Sequence, residues 1–163
     1  MKSKIFNSEE IQAIIAGKKT MFREVIKTES ELKVGQEIFV KETFAKWRNN
    51  SFVYKADITP EKVVSKWSLP QHMKQEQSRI TLKIKSVKVE RLQDISEKNA
   101  IKEGFEAEEW IETDAEGIRC GNGFDAVQVF EYEWSVIHKK PEEKWKANPW
   151  VFAYEFEIIN LKK

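Results

Sequence analysis

The first apolar pattern along the chain has helical spacing. Ile11, Ile14 and Ile15 fall on one helical face, and a glycine follows at position 17. Asn7 or Ser8, just before them, is a residue type that caps the free N–H groups at a helix start. The sequence therefore predicts a short helix that buries its isoleucine face.

A second pattern alternates and predicts a long strand from Arg79 to Leu92. The apolar residues from Ile80 to Ile84 share one face, whereas Val87 and Val89 are one residue out of step. A bulge near residues 85–86 would return these valines to the core. A shorter strand is predicted over Glu37–Glu42, after a glycine turn.

Two more helices are predicted in the second half of the chain. Ser96 caps one that ends at Gly104. The other runs from about Phe124 to Lys139, and Pro141 prevents its continuation. Its apolar stripe comprises Val127, Phe130, Trp134 and Ile137.

The final strand is predicted from Trp150 to Ile159, with Trp150 in the core. Its apolar face comprises Trp150, Phe152, Tyr154, Phe156 and Ile158. Long strands separated by short helices indicate an α+β fold around a mostly antiparallel, curved sheet, in a single domain over residues 1–163. Two excursions interrupt it: a tryptophan-containing one at about 43–78 and an acidic one at about 105–123.

Composition narrows the class of protein. Apolar residues make up 40% of the chain and charged residues 34%, which is typical of a soluble globular domain and excludes disorder. The net charge of +1 argues against a general polyanion binder, but it leaves a local basic cleft open.

Residues that bind metals are scarce. Cys120 is the single cysteine, and His72 and His138 are the two histidines. An internal disulfide and a cysteine zinc site are excluded, and no metal or other cofactor is predicted, although a site made only of carboxylates stays open. No apolar run resembles a signal peptide or could cross a bilayer, so we expect a cytoplasmic protein without a membrane partner.

Four segments occur in a specific order along the chain. They are Ala16–Thr20 with Arg23, Lys33–Phe44, Ser78–Gly104 and Trp145–Phe156. Together they resemble the ASCH family, which belongs to the PUA-like folds. The resemblance implies a small β-barrel with peripheral helices and a cleft for RNA or modified nucleosides. The tryptophan-rich middle and the Asn-Pro-Trp segment are most similar to ASCH proteins of bacteriophages and prophages, so a bacterial host is implied.

One branch of this family comprises amidohydrolases that remove the acetyl group from acetylcytidine. By position, the resemblance implies Lys19 and Glu103 as catalytic residues. The branch has a threonine where this chain has Phe22. Thr20 is a substitute hydroxyl, but it matches a different position of the family motif.

Amide hydrolysis requires a nucleophile, a proton shuttle and stabilisation of the oxyanion. Lys19 is a base only in its neutral form, which burial or a neighbouring cation such as Lys18 favours. Glu103 would orient Lys19 or relay a proton. Because Phe22 supplies no nucleophile, attack by water and ribonuclease action both stay open.

Structural roles compete with these chemical ones. Lys18 and Lys19 follow a helix and would complement its negative end. Glu103 in the last turn of a helix would be solvated, although a carboxylate is unfavourable there, which favours a partner such as Lys19. Arg23 either binds a phosphate or pairs with an acidic side chain.

RNA or a nucleotide is the predicted partner. Trp47 lies between two basic residues, a combination that suits unpaired bases. Asn148 either reads a base edge or sets the turn before Pro149. The predicted binding residues are Lys18, Arg23, Trp47, Arg79 and Asn148.

The sequence therefore predicts an ASCH-type protein that recognises RNA or a modified nucleotide in a basic cleft. Hydrolysis of a modified nucleoside or of RNA is its predicted chemistry. Two alternatives stay open: a binding module without turnover, favoured by Phe22, and a phage accessory protein that contacts another protein through the acidic excursion.

Overall fold

The fold is of the α+β class, as the sequence predicts. The computed structural model describes residues 1–27, 31–57, 64–113, 115–117 and 119–162. The helices are α1 (Ser8–Ile15), α2 (Glu97–Lys102) and α3 (Ala126–Ile137). The strands are β1 (Lys2–Ile5), β2 (Met21–Val25), β3 (Glu37–Lys41), β4 (Phe44–Lys46), β5 (Phe52–Tyr54), β6 (Ile80–Arg91), β7 (Glu108–Thr113), β8 (Arg119–Phe124) and β9 (Trp150–Leu161).

Five strands form a mixed sheet in the order β1-β3-β6-β9-β2. Strand β1 pairs with β3 in parallel, and β3 pairs with β6 in antiparallel fashion. Strand β1 is not predicted from the sequence, because its mostly exposed residues show no clear alternation of apolar and polar side chains. Two separate hairpins, β4–β5 and β7–β8, lie within the segments predicted as excursions.

The chain forms two compact units. The first comprises Met1–Gly17, Leu32–Val87 and Tyr154–Lys163, and the second comprises Lys18–Glu31 and Lys88–Ala153. Strands β6 and β9 each contribute residues to both units. The prediction of a single domain over 1–163 stays a prediction.

The first unit contains α1, which begins as the sequence predicts. Asn7 accepts a hydrogen bond from the backbone N–H of Glu10 (2.8 Å), and the Glu10 carboxylate accepts one from the N–H of Asn7 (2.9 Å). Ile11 and Ile14 are buried, whereas Ile15 is exposed. They join a core whose other large members include Phe6, Ile38, Ile80, Leu82, Ile84 and Tyr154.

A buried ion cluster also lies in the first unit, around Arg79. Both nitrogens Nε and Nη2 donate to the Glu42 carboxylate (2.8 and 3.0 Å), and Nη1 donates to Asp57. The guanidinium carbon lies 4.3 Å from the centre of the Tyr54 ring. Burial opposes the charge of Arg79, but these hydrogen bonds outweigh it and raise the pKa of Arg79. Burial raises the pKa of Glu42, and the bonds to Arg79 counteract only part of that effect.

The second unit has its own core between α2, α3 and the start of β9. Its buried members are Leu92, Ile95, Ala100, Ala126, Phe130, Trp134 and Val151. Ser96 caps α2 by accepting from the N–H of Asn99 (3.1 Å), as predicted. Gly104 follows with φ 102°, a left-handed conformation that favours glycine at a helix end.

Besides Ile15, three predicted core positions are wrong. Val89 is 58% exposed, and its neighbour Glu90 instead points towards Arg23. Ile137 is 59% exposed, because it is the last residue of α3 and lies beyond the packed part of the helix. Trp150 is 49% exposed, while Val151 next to it is buried, so the predicted phase of the final strand is inverted at its start.

The two predicted excursions are only partly within the described residues. Positions 58–63, 114 and 118 lie outside them. In the acidic excursion, β7 pairs with β8 so that Glu108 is opposite Phe124 and Thr113 is opposite Arg119. Among the described residues, every helix is too short or too polar to span a bilayer.

Replacing Arg79 with Met should destabilise the protein by about 3–5 kcal/mol, because two carboxylates lose their cation while Glu42 stays buried. The pKa of Glu42 should then rise further. A carboxyl group with a raised native pKa contributes stability at low pH and loses it as pH increases through that pKa, so the deficit should shrink on acidification from pH 7. Urea unfolding at several pH values measures both effects.

Arg48→Met is the matched control, since Arg48 is exposed in the same unit. It should change stability by less than about 1 kcal/mol. Equal stability losses in the two variants would contradict a structural role for the Arg79 cluster.

Candidate functional site

Lys19 and Glu103 meet in the second unit. Lys19 lies between α1 and β2, and its ammonium donates to the Glu103 carboxylate (3.1 Å) and to the Glu103 backbone carbonyl (2.8 Å). The side chains are 3% and 4% exposed, respectively. The backbone N–H of Thr20 donates to the carbonyl of Lys102 (2.7 Å), which fixes the segment against the end of α2.

Arg23 completes the pairing of Glu103. It extends from β2, and its Nη1 donates to the second carboxylate oxygen of Glu103 (2.6 Å). Its Nη2 donates to Glu90 on β6 (2.6 Å), and its guanidinium carbon lies 5.9 Å from the centre of the Phe130 ring. Each oxygen of Glu103 thus accepts from a different cation. We refer to Lys19, Arg23, Glu90 and Glu103 as the Glu103 cluster.

The cluster contains an unmet hydrogen-bond donor. The Arg23 side chain has no solvent-exposed surface, and within the described part of the chain its Nε finds no acceptor. A buried donor without an acceptor costs on the order of 1–3 kcal/mol. The Arg79 cluster avoids this free-energy cost, because all three guanidinium nitrogens of Arg79 are hydrogen-bonded.

Helix electrostatics explain why Lys19 lies where it does. A carboxylate at a helix C-terminus is unfavourable, because the helix dipole is negative there. Lys19 offsets the charge of the Glu103 carboxylate and the partial negative charge at the end of α2, because its ammonium binds both the carboxylate and the backbone carbonyl of Glu103. The lysine thus complements the end of α2, not the end of the preceding helix α1.

Lys18 and Phe22 are the neighbours of the cluster in sequence, and they differ sharply in exposure. Lys18 is 64% exposed and pairs with Glu106 (3.3 Å). Phe22 is buried in β2. Thr20 is half-buried. The position where the family resemblance expects a hydroxyl is therefore occupied by a buried hydrocarbon side chain.

The other predicted binding residues are not members of the Glu103 cluster. Asn148 is in the second unit, where its side-chain oxygen accepts from the N–H of Gln93 (2.9 Å). Trp47 and Arg79 belong to the first unit. Trp47 is half-buried, with the Arg48 guanidinium 5.9 Å from its ring, and Arg79 is engaged in its buried ion cluster.

Glu90 is the member of the cluster that is not predicted from the sequence. It lies an even number of residues from Ile80, Leu82 and Ile84, and its charge excluded it from the apolar pattern. Strict alternation along β6 would have placed it on the face of those residues. A carboxylate on that face is a signal for a buried cation.

Comparison with known proteins defines the fold. No family model and no curated protein matches the sequence. An ASCH domain from Lactobacillus crispatus JV V101 matches in structure with a TM-score of 0.52 at 13% identity, over 98% of this chain and 79% of that one. A DUF984 protein from Enterococcus faecalis V583 matches with a TM-score of 0.53 at 12% identity, over 100% of this chain and 84% of that one.

These similarities show that the chain has the fold of an ASCH domain, which is PUA-like. The resemblance seen in four sequence segments is confirmed at the level of the fold. Identities this low carry no activity with them, so function has to be argued from the site.

A double-mutant cycle should show strong coupling between Lys19 and Glu103. Glu103→Gln leaves two buried cations without their shared carboxylate and should cost about 3–5 kcal/mol of unfolding free energy. Lys19→Met should then lower the unfolding free energy of the Glu103→Gln variant much less than it lowers that of the wild type. Urea unfolding should give a coupling energy of about 1–3 kcal/mol.

The matched cycle uses the exposed pair next in sequence, Lys18→Met and Glu106→Gln. Its coupling should lie within about 0.5 kcal/mol of zero, because solvent screens the charges. Similar coupling in both cycles would show that burial adds nothing to the Glu103 cluster.

Proposed function

We propose that the protein recognises RNA or a modified nucleotide at the Glu103 cluster. The observation that carries this proposal is the meeting of Lys19 and Arg23 on one buried carboxylate, at the residues that the ASCH resemblance marks for function. An ammonium and a guanidinium held at fixed positions suit phosphate and carbonyl oxygens of a nucleotide.

The energetic balance of the cluster supports a functional role. Replacing a buried ion pair with apolar residues of similar volume often leaves the stability of a protein unchanged or increases it. Stability alone therefore gives little reason for a buried ion cluster. Arg23 adds the cost of its Nε donor, which has no acceptor in the part of the chain that the structure describes. Local violations of this kind concentrate at functional sites.

Hydrolysis of an acylated nucleoside is the chemistry we assign to this site. Water attacks the amide carbonyl, the amide C–N bond breaks, and the base amine leaves with a proton while the acyl group leaves as a carboxylic acid. Glu103 relays the proton, and Lys19 orients Glu103 and stabilises the oxyanion. Water is the nucleophile in this scheme, because Phe22 carries no hydroxyl.

Binding without turnover is the second candidate. It is favoured by the burial of Phe22 at the expected nucleophile position and by the closure of the Glu103 cluster, whose two cations are both engaged by carboxylates. In that case the site would hold its ligand without a catalytic step.

Incubation with acetylcytidine and a panel of acylated nucleosides tests the hydrolase. Wild type should release the deacylated nucleoside, measured by liquid chromatography, and Lys19→Ala and Glu103→Ala should lower the rate at least about 100-fold, as loss of a proton-transfer group does. Lys18→Ala should keep nearly full activity. Circular dichroism of each variant separates a loss of chemistry from a loss of fold.

Calorimetric titration with the same nucleosides separates the two candidates. Binding that depends on Lys19, without product above the mutant background, would leave recognition standing and exclude hydrolysis. If neither nucleosides nor short RNA bind at high micromolar concentration, the proposal is wrong.

A further inference from the structure

Trp150, the first residue of β9, is exposed. It leaves 49% of its surface exposed, whereas Val151 beside it is fully buried. Because strand residues alternate between the two faces, Trp150 and Val151 point to opposite sides of β9. The exposed indole thus lies on the face of the strand turned away from the core of the second unit.

A guanidinium covers part of this indole. The Arg91 guanidinium carbon lies 4.3 Å from the centre of the Trp150 ring. Its Nη1 donates to the backbone carbonyl of Asn148 (3.1 Å), which holds the group in place. Among the described residues, no carboxylate pairs with Arg91, so its charge is not neutralised by an ion pair.

The loop before Trp150 is held by its own hydrogen bonds. Asn148 has a left-handed backbone conformation with φ 46°, and its side-chain oxygen accepts from the N–H of Gln93 (2.9 Å). The Gln93 amide in turn donates to the carbonyl of Trp145 (2.8 Å). Asn148 therefore uses its side chain to shape the loop that positions Arg91 and Trp150.

The loop before Trp150 carries further positive charge. Lys144 and Lys146 lie in the same loop, and both are exposed. Arg91 contacts the indole, and the two lysines lie four and six residues before it in the sequence. Aromatic rings stack on the faces of unpaired bases, and neighbouring cations bind the phosphates between them.

We propose that Trp150 and Arg91 form a stacking site for an unpaired base of single-stranded nucleic acid, with Lys144 and Lys146 at its phosphates. The site is distinct from the Glu103 cluster, because Glu90 and Arg91 are adjacent on β6 and point to opposite faces. The inference goes beyond the proposed function and does not depend on hydrolysis.

Fluorescence anisotropy with labelled ten-residue oligouridylate and oligothymidylate tests the site. Wild type should bind, and Trp150→Ala should weaken binding about 5- to 100-fold, the effect of losing one base stack. Trp150→Phe keeps an aromatic ring and should lose much less oligonucleotide affinity. Arg91→Ala should weaken binding and lower the slope of log affinity against log salt by about one.

Tyr132→Ala is the matched control, since Tyr132 is a 69% exposed aromatic residue on α3 in the same unit. It should leave oligonucleotide affinity unchanged. Trp150→Ala should leave acetylcytidine turnover unchanged, so the two proposals fail separately.

Two outcomes would overturn the stacking site. One is the absence of binding to either oligonucleotide at a protein concentration of about 100 μM. The other is a pair of folded Trp150→Ala and Arg91→Ala variants that bind as tightly as wild type. Because Arg91 and Trp150 are each substituted alone, misfolding of one variant leaves the other to decide.

Discussion

Glu103 is the residue on which the second unit depends. Its carboxylate accepts from Lys19 and Arg23, and its carbonyl accepts from Lys19 as well. Through Arg23, the same network reaches Glu90 on β6. One buried carboxylate therefore joins the end of α2 to β2, 80 residues earlier in the sequence, and through Arg23 to the end of β6.

The two arginines that are buried among the described residues show how a structural ion cluster differs from a candidate site. Arg79 is paired by two carboxylates, and all three of its nitrogens are hydrogen-bonded. Arg23 is also paired by two carboxylates, but its Nε has no acceptor among the described residues. Complete hydrogen bonding is typical of a structural ion cluster, whereas the unmet donor of Arg23 among the described residues is what supports the proposed site.

Adjacent residues on single strands serve opposite purposes here. Glu90 belongs to the buried cluster while Arg91 covers Trp150, and Val151 packs in the core while Trp150 is exposed. Strand alternation makes this possible, since neighbouring side chains point to opposite faces. The protein thus has two candidate sites of different chemistry. One is a buried ion cluster, and the other is an exposed indole beside a guanidinium. The ASCH fold accounts for the arrangement of the strands. The ligands proposed for the two sites follow only from the side chains found there.

Local patterns in the sequence were enough to predict the α+β class, the cap of α1, the start of α2 at Ser96 and the long strand β6, because caps and periodicity act within a few residues. They also pointed to Lys19 and Glu103, through the family resemblance. The exposure of Val89 and Trp150, the role of Glu90 and the partner of Arg23 depended on contacts between distant segments. Which face of a strand is buried is decided by what packs against it, and a charged residue such as Glu90 reveals its partner only when the tertiary structure brings the two together.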